Sequence, residues 1–511
     1  MHIEKFQYIS ELSAHVGGTA ELRGWVSNKR DSKGLVFIVL RDGSGFAQCV
    51  VDEAKVGSAM FEEAKRLTLE SAVILRGTVV EDERQIGGYE LQVSEVVVIH
   101  IAEEYPIAKK EHGVDFLIEN RHLWLRSKKQ WAIMRVRNRI IFAIHSYFQK
   151  NGFLQMDAPV FTGNACEGTT TLFETDFFGK PAYLSQSGQL YGEALAMAHG
   201  KIYTFGPTFR AEKSKTRRHL SEFWMIEPEM AFYDLDMDMD LIEDFIKNVV
   251  HDVLNDCKEE LALLERDTTY LQNAVEQKFP RIHYDDAVKI IRGEKDVDGR
   301  NSIKTLEGDL QEWRDMRVAM EKEIAEREEK IASGNMKKGE VNFNRNKIDT
   351  LKNEIKEIDE KLTNIPQWLQ SAQNFAWGGD LGGSDETVLT RLFACPVMVY
   401  NWPAEIKAFY MKRDPKDTRY VKGVDVLAPE GYGEIVGGAE REDNLDFLIE
   451  RIKHEELPME AFEWYLDLRR FGSVPHAGFG LGLERIVMWI TGTQHIREAI
   501  PFPRFYGRLE P

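Results

Sequence analysis

Two apolar, strand-like segments, YTFGPTF ending at Phe209 and FWMIEPEMAF starting at Phe223, enclose a loop with Arg210, Lys213, Lys215, Arg217 and Arg218 within nine residues, opposed only by Glu212. Such segments pair as the arms of a β-hairpin, and arms this apolar must be buried. The chain is thereby committed to a sheet with antiparallel neighbours and a cationic edge loop. A basic run alone reads as a solvated face. Held between buried arms it can close over a polyanion: the strand end fixes Arg210 for a bidentate grip on one phosphate, and the loop cations neutralise charge further along. Phe223, entering the second arm, is placed to stack on a nucleobase.

The chain around this hairpin is long enough, at 511 residues, for two or three domains. Its balance of 66 Lys+Arg against 84 Asp+Glu gives a net charge of -18, which disfavours indiscriminate nucleic-acid binding. A local basic groove is compatible with it, because exposed charges are screened beyond about 10 Å. No window approaches a membrane span, and MHIEKFQYISEL lacks the basic-then-apolar pattern of a secretory signal, so a cytoplasmic location is expected. The cysteines, Cys49, Cys166, Cys257 and Cys395, form no C-x-x-C pair and read as reduced, buried side chains.

Residues 18–101 hold β-branched runs separated by Gly and Asp turns (DGSG, IGG), the pattern of a small β-barrel; an OB-fold over 1–101 is the natural candidate. Residues 102–128 are irregular and read as a hinge. From 129 to 511, strands and helices mix without strict βαβα alternation, which predicts an α+β domain on an antiparallel sheet. Inside it, 302–364 is highly charged with apolar residues at spacings of three and four (Ile348, Leu351, Ile355, Ile358, Leu362), and predicts an inserted antiparallel helical hairpin with its own seam.

Two further stretches fit the cationic hairpin. In HAGFGLGLERIVM, Gly478, Gly480 and Gly482 permit close backbone approach on a strand that runs into a helix, and Arg485 falls in that helix's first turn. In VDVLAPEGYGEIVGGAERED, Asp425 and Glu434 lie on what read as adjacent strands and suit Mg²⁺ held against phosphate oxygens; two acids so spaced are ordinarily solvated, and the phosphate-binding arginines raise the metal reading.

Together FRAEKSKTRRHLSEF, GFGLGLERIVM and the helix from Arg135 to Asn151 running into GFLQMDAPVF, with Pro159, resemble the three signature motifs of class II aminoacyl-tRNA synthetases. The N-terminal OB-fold narrows the resemblance to the aspartate, asparagine and lysine subclass, and pocket residues narrow it to the asparagine branch. It covers the chain except the helical insertion.

The resemblance implies roles. Arg210 would hold the α-phosphate of ATP and Arg485 the γ-phosphate, with Glu212 and Phe223 on the adenine and Arg218 and His219 on the phosphates. Asp425 and Glu434 match Mg²⁺ ligands. Glu167, Ser187 and Gln189 match residues around the substrate's α-amino group. Gly192 stands where aspartate enzymes carry a lysine, while Glu227 and Arg441 would accept from and donate to a carboxamide. On the barrel, Arg30, Phe37 and Gln48 would meet the anticodon, though the apolar run GLVFIVLRD leaves Phe37's face open. The expected activity is ligation of asparagine to tRNA(Asn) through an adenylate, by a homodimer. The alternatives are an aspartate enzyme of the same fold, a tRNA-independent asparagine synthetase, and a nucleic-acid-binding regulator with a decayed site.

Overall fold

The computed structural model describes residues 6–107, 112–163, 172–214, 216–334 and 336–510. The chain divides into two compact units, Met1–Arg126 and Ser127–Pro511.

In the first unit, β1 (Thr19–Ser32), β2 (Leu35–Arg41), β3 (Phe46–Asp52), β4 (Ala72–Glu81) and β5 (Tyr89–His100) close into a barrel in the order β1-β2-β3-β5-β4. Pairing is antiparallel except between β3 and β5. Val36, Ile38 and Leu40 are fully buried in the barrel core, so period-2 alternation turns Phe37 and Val39 outward. Closure demands a tight corner at Gly77, where the β4/β5 register shifts and a Cβ would run into the Gln92 carbonyl. The stretch read as an irregular hinge contains two short helices, Val114–Glu119 and Arg121–Trp124.

The second unit is built on eight strands: β6 (Leu154–Met156), β10 (Lys201–Phe209), β11 (Glu222–Ala231), β12 (Arg281–His283), β13 (Val397–Pro403), β14 (Tyr420–Ala428), β15 (Gly433–Glu440) and β16 (His476–Gly482). Their order is β12-β13-β14-β15-β16-β11-β10-β6, antiparallel except at the two ends, where β12/β13 and β10/β6 run parallel. A small satellite sheet joins β7 (Phe161–Thr162), β8 (Glu174–Phe177) and β9 (Lys180–Leu184).

One face of the large sheet packs on the Lys128–Lys150 and Leu235–Asp256 helices. Ser127 caps the first, its hydroxyl accepting from Gln130 N, and Asp234 caps the second, accepting from Met237 N. Ile133, Val136, Ile140, Ile144 and Phe148 recur at helical spacing and bury against Ile226, Met230, Val436 and Leu481 of the strands. Because Ile226 and Met230 point into this core, Glu227 and Glu229 of β11 point to the opposite face. That face carries the site.

The insertion is a pair of long helices, Ser302–Ala332 and Lys338–Asn374. The second does not stop at 364; it continues through Pro366, and Ile365 and Ala372 join Leu306 in a core shared with Leu389 and Trp402. Only the distal half has a core of its own, around Ile324, Ile348 and Leu351. Among the described residues no helix is long and apolar enough to cross a membrane, and Cys49, Cys257 and Cys395 are free and buried; Cys166 lies outside the described residues.

Candidate active site

The open face of the sheet is floored by glycines. A Cβ at Gly478 would meet the Glu229 carboxylate at 2.5 Å, and one at Gly437 would come within 3.1 Å of Glu434 Oε1 and 3.7 Å of Asp425 Oδ1. At Gly478 a Cβ would also strike the Pro228 carbonyl, and at Gly437 it would crowd the acids that rise over the strands. Two clefts open above this floor. Arg210, Met225, Glu434 and Gly480 line both, so they form one continuous groove.

The first cleft takes its walls from the β10–β11 hairpin and the start of the Leu483–Thr491 helix. It brings together all seven residues expected on ATP: Arg210, Glu212, Arg218, His219, Phe223, Glu434 and Arg485. The Arg210 guanidinium lies 5.5 Å from the Phe223 ring centroid, and Arg210 N donates to Ser221 O, closing the hairpin at 3.0 Å. Arg485 Nη1 donates to the Glu434 carbonyl at 2.9 Å and to its carboxylate at 3.1 Å. Arg218 donates to Glu386 at 2.6 Å, and the same carboxylate accepts from Glu434 N at 3.2 Å. His219 faces Glu212 at 3.6 Å; burial holds its imidazole below the ordinary range despite Glu212, with Arg485, Arg210 and Arg218 adding to the effect. Lys213 and Arg217 are exposed, and Lys215 lies outside the described residues.

Where the clefts meet, Asp425 and Glu434 converge over Gly437. Burial and the neighbouring Glu434 push the Asp425 carboxyl up to about 7 against the pull of Lys407, whose Nζ sits 2.7 Å from Oδ2. Arg485 and Lys407 together overcome the burial of Glu434 and hold its carboxyl low. Two converging carboxylates, each with one cationic partner, suit a small divalent ion that completes its shell with phosphate oxygens and water. Among the described residues no three His, Cys, Asp or Glu come together as a metal cage.

The second cleft is lined by Ser187, Gln189, Glu227 and Arg441, four of the five residues expected on the amino acid; Glu167 lies outside the described residues. Glu227 is buried and accepts from the Ser187 hydroxyl, from Gly188 N at 2.8 Å and from the Thr204 hydroxyl at 3.1 Å. The charge partner of Arg441 is Glu229, to which its Nη2 and Nε donate at 2.5 and 3.3 Å. Burial opposes the Arg441 charge, and Glu229 more than restores it, lifting the guanidinium above its ordinary range. At Gly192 a Cβ would lie 3.1 Å from the Cγ methylene of Glu229, whose carboxylate is paired to Arg441.

Sequence reasoning passed over Glu229, Glu386 and Lys407. Glu229 was findable, since two residues from Glu227 on one strand means the same face. The others come from distant segments, SDETVL and PAEIKAFY, with no local signal.

On the barrel, Arg30 pairs across β1/β2 with Phe37 and lays its guanidinium 4.7 Å from the ring centroid. Gln48 pairs with Val39 on the same outward face and donates to Glu90 at 2.6 Å.

Residues 113–506 match the family model described as class II tRNA synthetases (D, K and N), and residues 20–99 match an OB-fold nucleic acid binding domain. The asparagine–tRNA ligase of Sorangium cellulosum (strain So ce56) is 50% identical over 503 residues, covering 98% of both chains. That of Deinococcus deserti is 46% identical over 505 residues, covering 98% of this chain and 99% of its own. The crystal structure of asparaginyl-tRNA synthetase from Pyrococcus horikoshii complexed with asparaginyl-adenylate aligns over 100% of both chains at 38% identity, with a TM-score of 0.80.

Proposed function

Because the chain belongs to the class II tRNA synthetases that serve aspartate, lysine and asparagine, we infer that it activates asparagine with ATP and ligates the product to tRNA(Asn). The observation that carries the choice of amino acid is the pairing of charges in the second cleft. Glu227, its carboxyl oxygens fixed by three donors, accepts from the amide nitrogen of a carboxamide. Arg441 spends Nε and Nη2 on Glu229, leaving Nη1 to donate to the amide oxygen. A substrate carboxylate would set a second acceptor against Glu227 where a carboxamide offers its NH₂ edge.

The reaction needs no protein nucleophile. The α-carboxylate of asparagine attacks the α-phosphorus of ATP, forming the mixed anhydride and releasing pyrophosphate. Catalysis is alignment of two anions and stabilisation of the charge on phosphorus and leaving group. Arg210, on the wall common to both clefts, serves the α-phosphate. Arg485 and Arg218 serve the far phosphates, with His219 beside them, and Phe223 and Glu212 take the adenine. Asp425 and Glu434 would hold Mg²⁺, which supplies charge neutralisation on the polyphosphate. Lys407 keeps Asp425 from bearing an uncompensated charge. Ser187, Gln189 and Glu167 serve the α-ammonium group.

The outward Phe37, with Arg30 over it and Gln48 beside it, supports anticodon recognition by stacking and polar contact. Exposed Phe142, Leu154 and Phe161, around the Pro159 segment, support a homodimer contact on this surface. The cytoplasm is the compartment where ATP, asparagine and tRNA meet.

Incubation of the purified protein with ATP, asparagine and total tRNA is expected to yield asparaginyl-tRNA, with aspartate a poor substitute. Equal charging of aspartate restores the aspartate alternative. Free asparagine made from aspartate without tRNA restores the synthetase alternative.

A further inference from the structure

Behind the second cleft lies a sealed cluster that the chemistry above does not use. Glu193, on the Gln189–His199 helix, has no solvent exposure, yet its carboxylate collects four side-chain partners. Tyr465 OH donates to it at 2.8 and 2.9 Å, Arg469 Nη2 at 2.8 Å, and His476 Nε2 faces it at 2.9 Å. Arg469 also donates to the Tyr465 oxygen at 3.0 Å, so the tyrosine's own proton is directed to Glu193. Tyr465 and Arg469 stand one turn apart on the Met459–Arg470 helix, and Arg469 Nε is fixed by the Glu442 carbonyl at 2.8 Å. Although burial opposes its charge, Arg469 and His476 hold the Glu193 carboxyl below the ordinary range. Glu193 is therefore an acceptor only.

The fourth partner is Gln189, one turn earlier on the same helix, whose Nε2 lies 3.2 Å from Glu193 Oε1. A carboxamide can present either edge, but its oxygen against a carboxylate would set two acceptors together. The NH₂ edge must face Glu193, which leaves the carbonyl oxygen as the edge for the cleft that Gln189 lines. The backbone is fixed as well: Gln189 N donates to Ser187 Oγ at 3.0 Å, and that hydroxyl donates to Glu227.

We propose that Glu193 is a positioning residue for amino-acid binding: held by Tyr465, Arg469 and His476, it locks the Gln189 carboxamide with its oxygen toward the cleft, preset to accept from the substrate's α-ammonium. The inference rests on the placement of that ammonium beside Gln189. It assigns the buried cluster to selection of an α-amino acid rather than to stability alone, because an unlocked carboxamide offers its donor edge to a cation about as readily as its acceptor edge.

The test is ATP–pyrophosphate exchange by the full chain, with succinamate, which is asparagine lacking its α-amino group, as competitive inhibitor. Glu193→Gln, which can donate as well as accept, is expected to raise the KM for asparagine by about tenfold or more, with the KM for ATP and the inhibition constant of succinamate within about twofold. Gln189→Met should do the same, and the double variant should lose no more than about twofold beyond the worse single one, since one acts through the other. If Glu193→Gln fails to fold because Arg469 is left unbalanced, Glu193→Gln combined with Arg469→Gln carries the same expectation. Parallel weakening of succinamate, or full multiplication of the two losses, overturns the role of Glu193. Gln189→Met with an unchanged KM overturns the placement of the ammonium and the inference with it. A normal KM in Glu193→Gln beside an impaired Gln189→Met overturns the inference alone.

Discussion

Arg441 donates through Nη2 and Nε to the Glu229 carboxylate at 2.5 and 3.3 Å, with the two side chains 3% and 0% exposed. The pair spans β15's end and β11, so the sheet's register, rather than the substrate, decides where the cleft's guanidinium stands. Breaking a buried pair by removing one partner costs about 3–5 kcal/mol, because the other charge is left uncompensated. Glu229→Gln is expected to lower unfolding free energy by an amount of that order and to depress asparagine activation. Arg441→Lys keeps the charge but loses the planar fork, and should weaken asparagine binding by about tenfold or more. Denaturant titration and exchange kinetics check the two arms; a stable, fully active Glu229→Gln protein would remove the pair from the specificity argument.

Arg210 and Arg485 approach the groove from opposite walls, one from a strand end and one from a helix start. Each is expected to lose adenylate formation on change to alanine by about 10² or more, as for other charge-stabilising donors. The fold should persist, because neither is part of the fully buried core. Near-normal ATP–pyrophosphate exchange in a folded variant counts against the phosphate assignment.

These two arginines were legible in the sequence because their placement is local: apolar arms fix the hairpin end, and glycines followed by an amphipathic run fix the helix start. Phe37 was not, since LVFIVL is apolar at every position and alternation carries no polarity signal; only barrel closure buries Val36, Ile38 and Leu40 and turns Phe37 out. Lys407 reaches Asp425, and Glu386 reaches Arg218, from segments with no motif. The charged, heptad-spaced pattern that marks the insertion ends near Leu362, whereas the helix runs on to Asn374 because Ile365 and Ala372 pack into a core shared with the sheet domain.

Asp238 lies sealed beneath Gly438, and neither carboxylate oxygen has a hydrogen-bond partner. Burial pushes its carboxyl up to about 8, against attraction from Arg441. The folded chain therefore keeps a proton that the unfolded chain, with an ordinary value of about 3.9, releases. Stability from this group is complete below about pH 4 and is lost as pH rises through about 8. Between pH 5 and 7 the Asp238→Asn variant should show a slope of unfolding free energy against pH less negative by about 1.4 kcal/mol per unit. Parallel slopes for the two proteins would mean that Asp238 is ionised in the fold.

The insertion should tolerate shortening only at its distal half. Arg317 and Asp359 face each other across the two helices at 2.6 Å, so a short turn replacing 318–358 joins them without disturbing Leu306, Leu310 or Ile365. That protein is expected to activate asparagine within about threefold of normal, since loops and tips away from packed cores accept deletion. Replacing all of 302–364 removes Leu306 from a shared core and should yield an unstable protein. A soluble, active full deletion would show that the base of the hairpin carries no load for the catalytic unit.

On the proposed reading, Glu227 chooses between asparagine and aspartate. Its carboxylate already accepts from the Ser187 hydroxyl, Gly188 N and the Thr204 hydroxyl, so it is fixed as an acceptor at the wall of the cleft. Arg441 donates two of its nitrogens to Glu229, and Gly192 has no side chain to offer a cation. A bound aspartate would place a second carboxylate against Glu227 in a desolvated site, while asparagine replaces that repulsion with a hydrogen bond. Discrimination of about 10⁴ in kcat/KM is expected for the unmutated protein, the range reached when a mismatched polar group is buried. Glu227→Gln removes the repulsive charge and should lower activity with asparagine while raising that with aspartate, so the ratio falls by about 10² or more. Exchange kinetics with both amino acids read the ratio directly. A Glu227→Gln variant that weakens both substrates equally would show that Glu227 supports the pocket's shape without choosing between them.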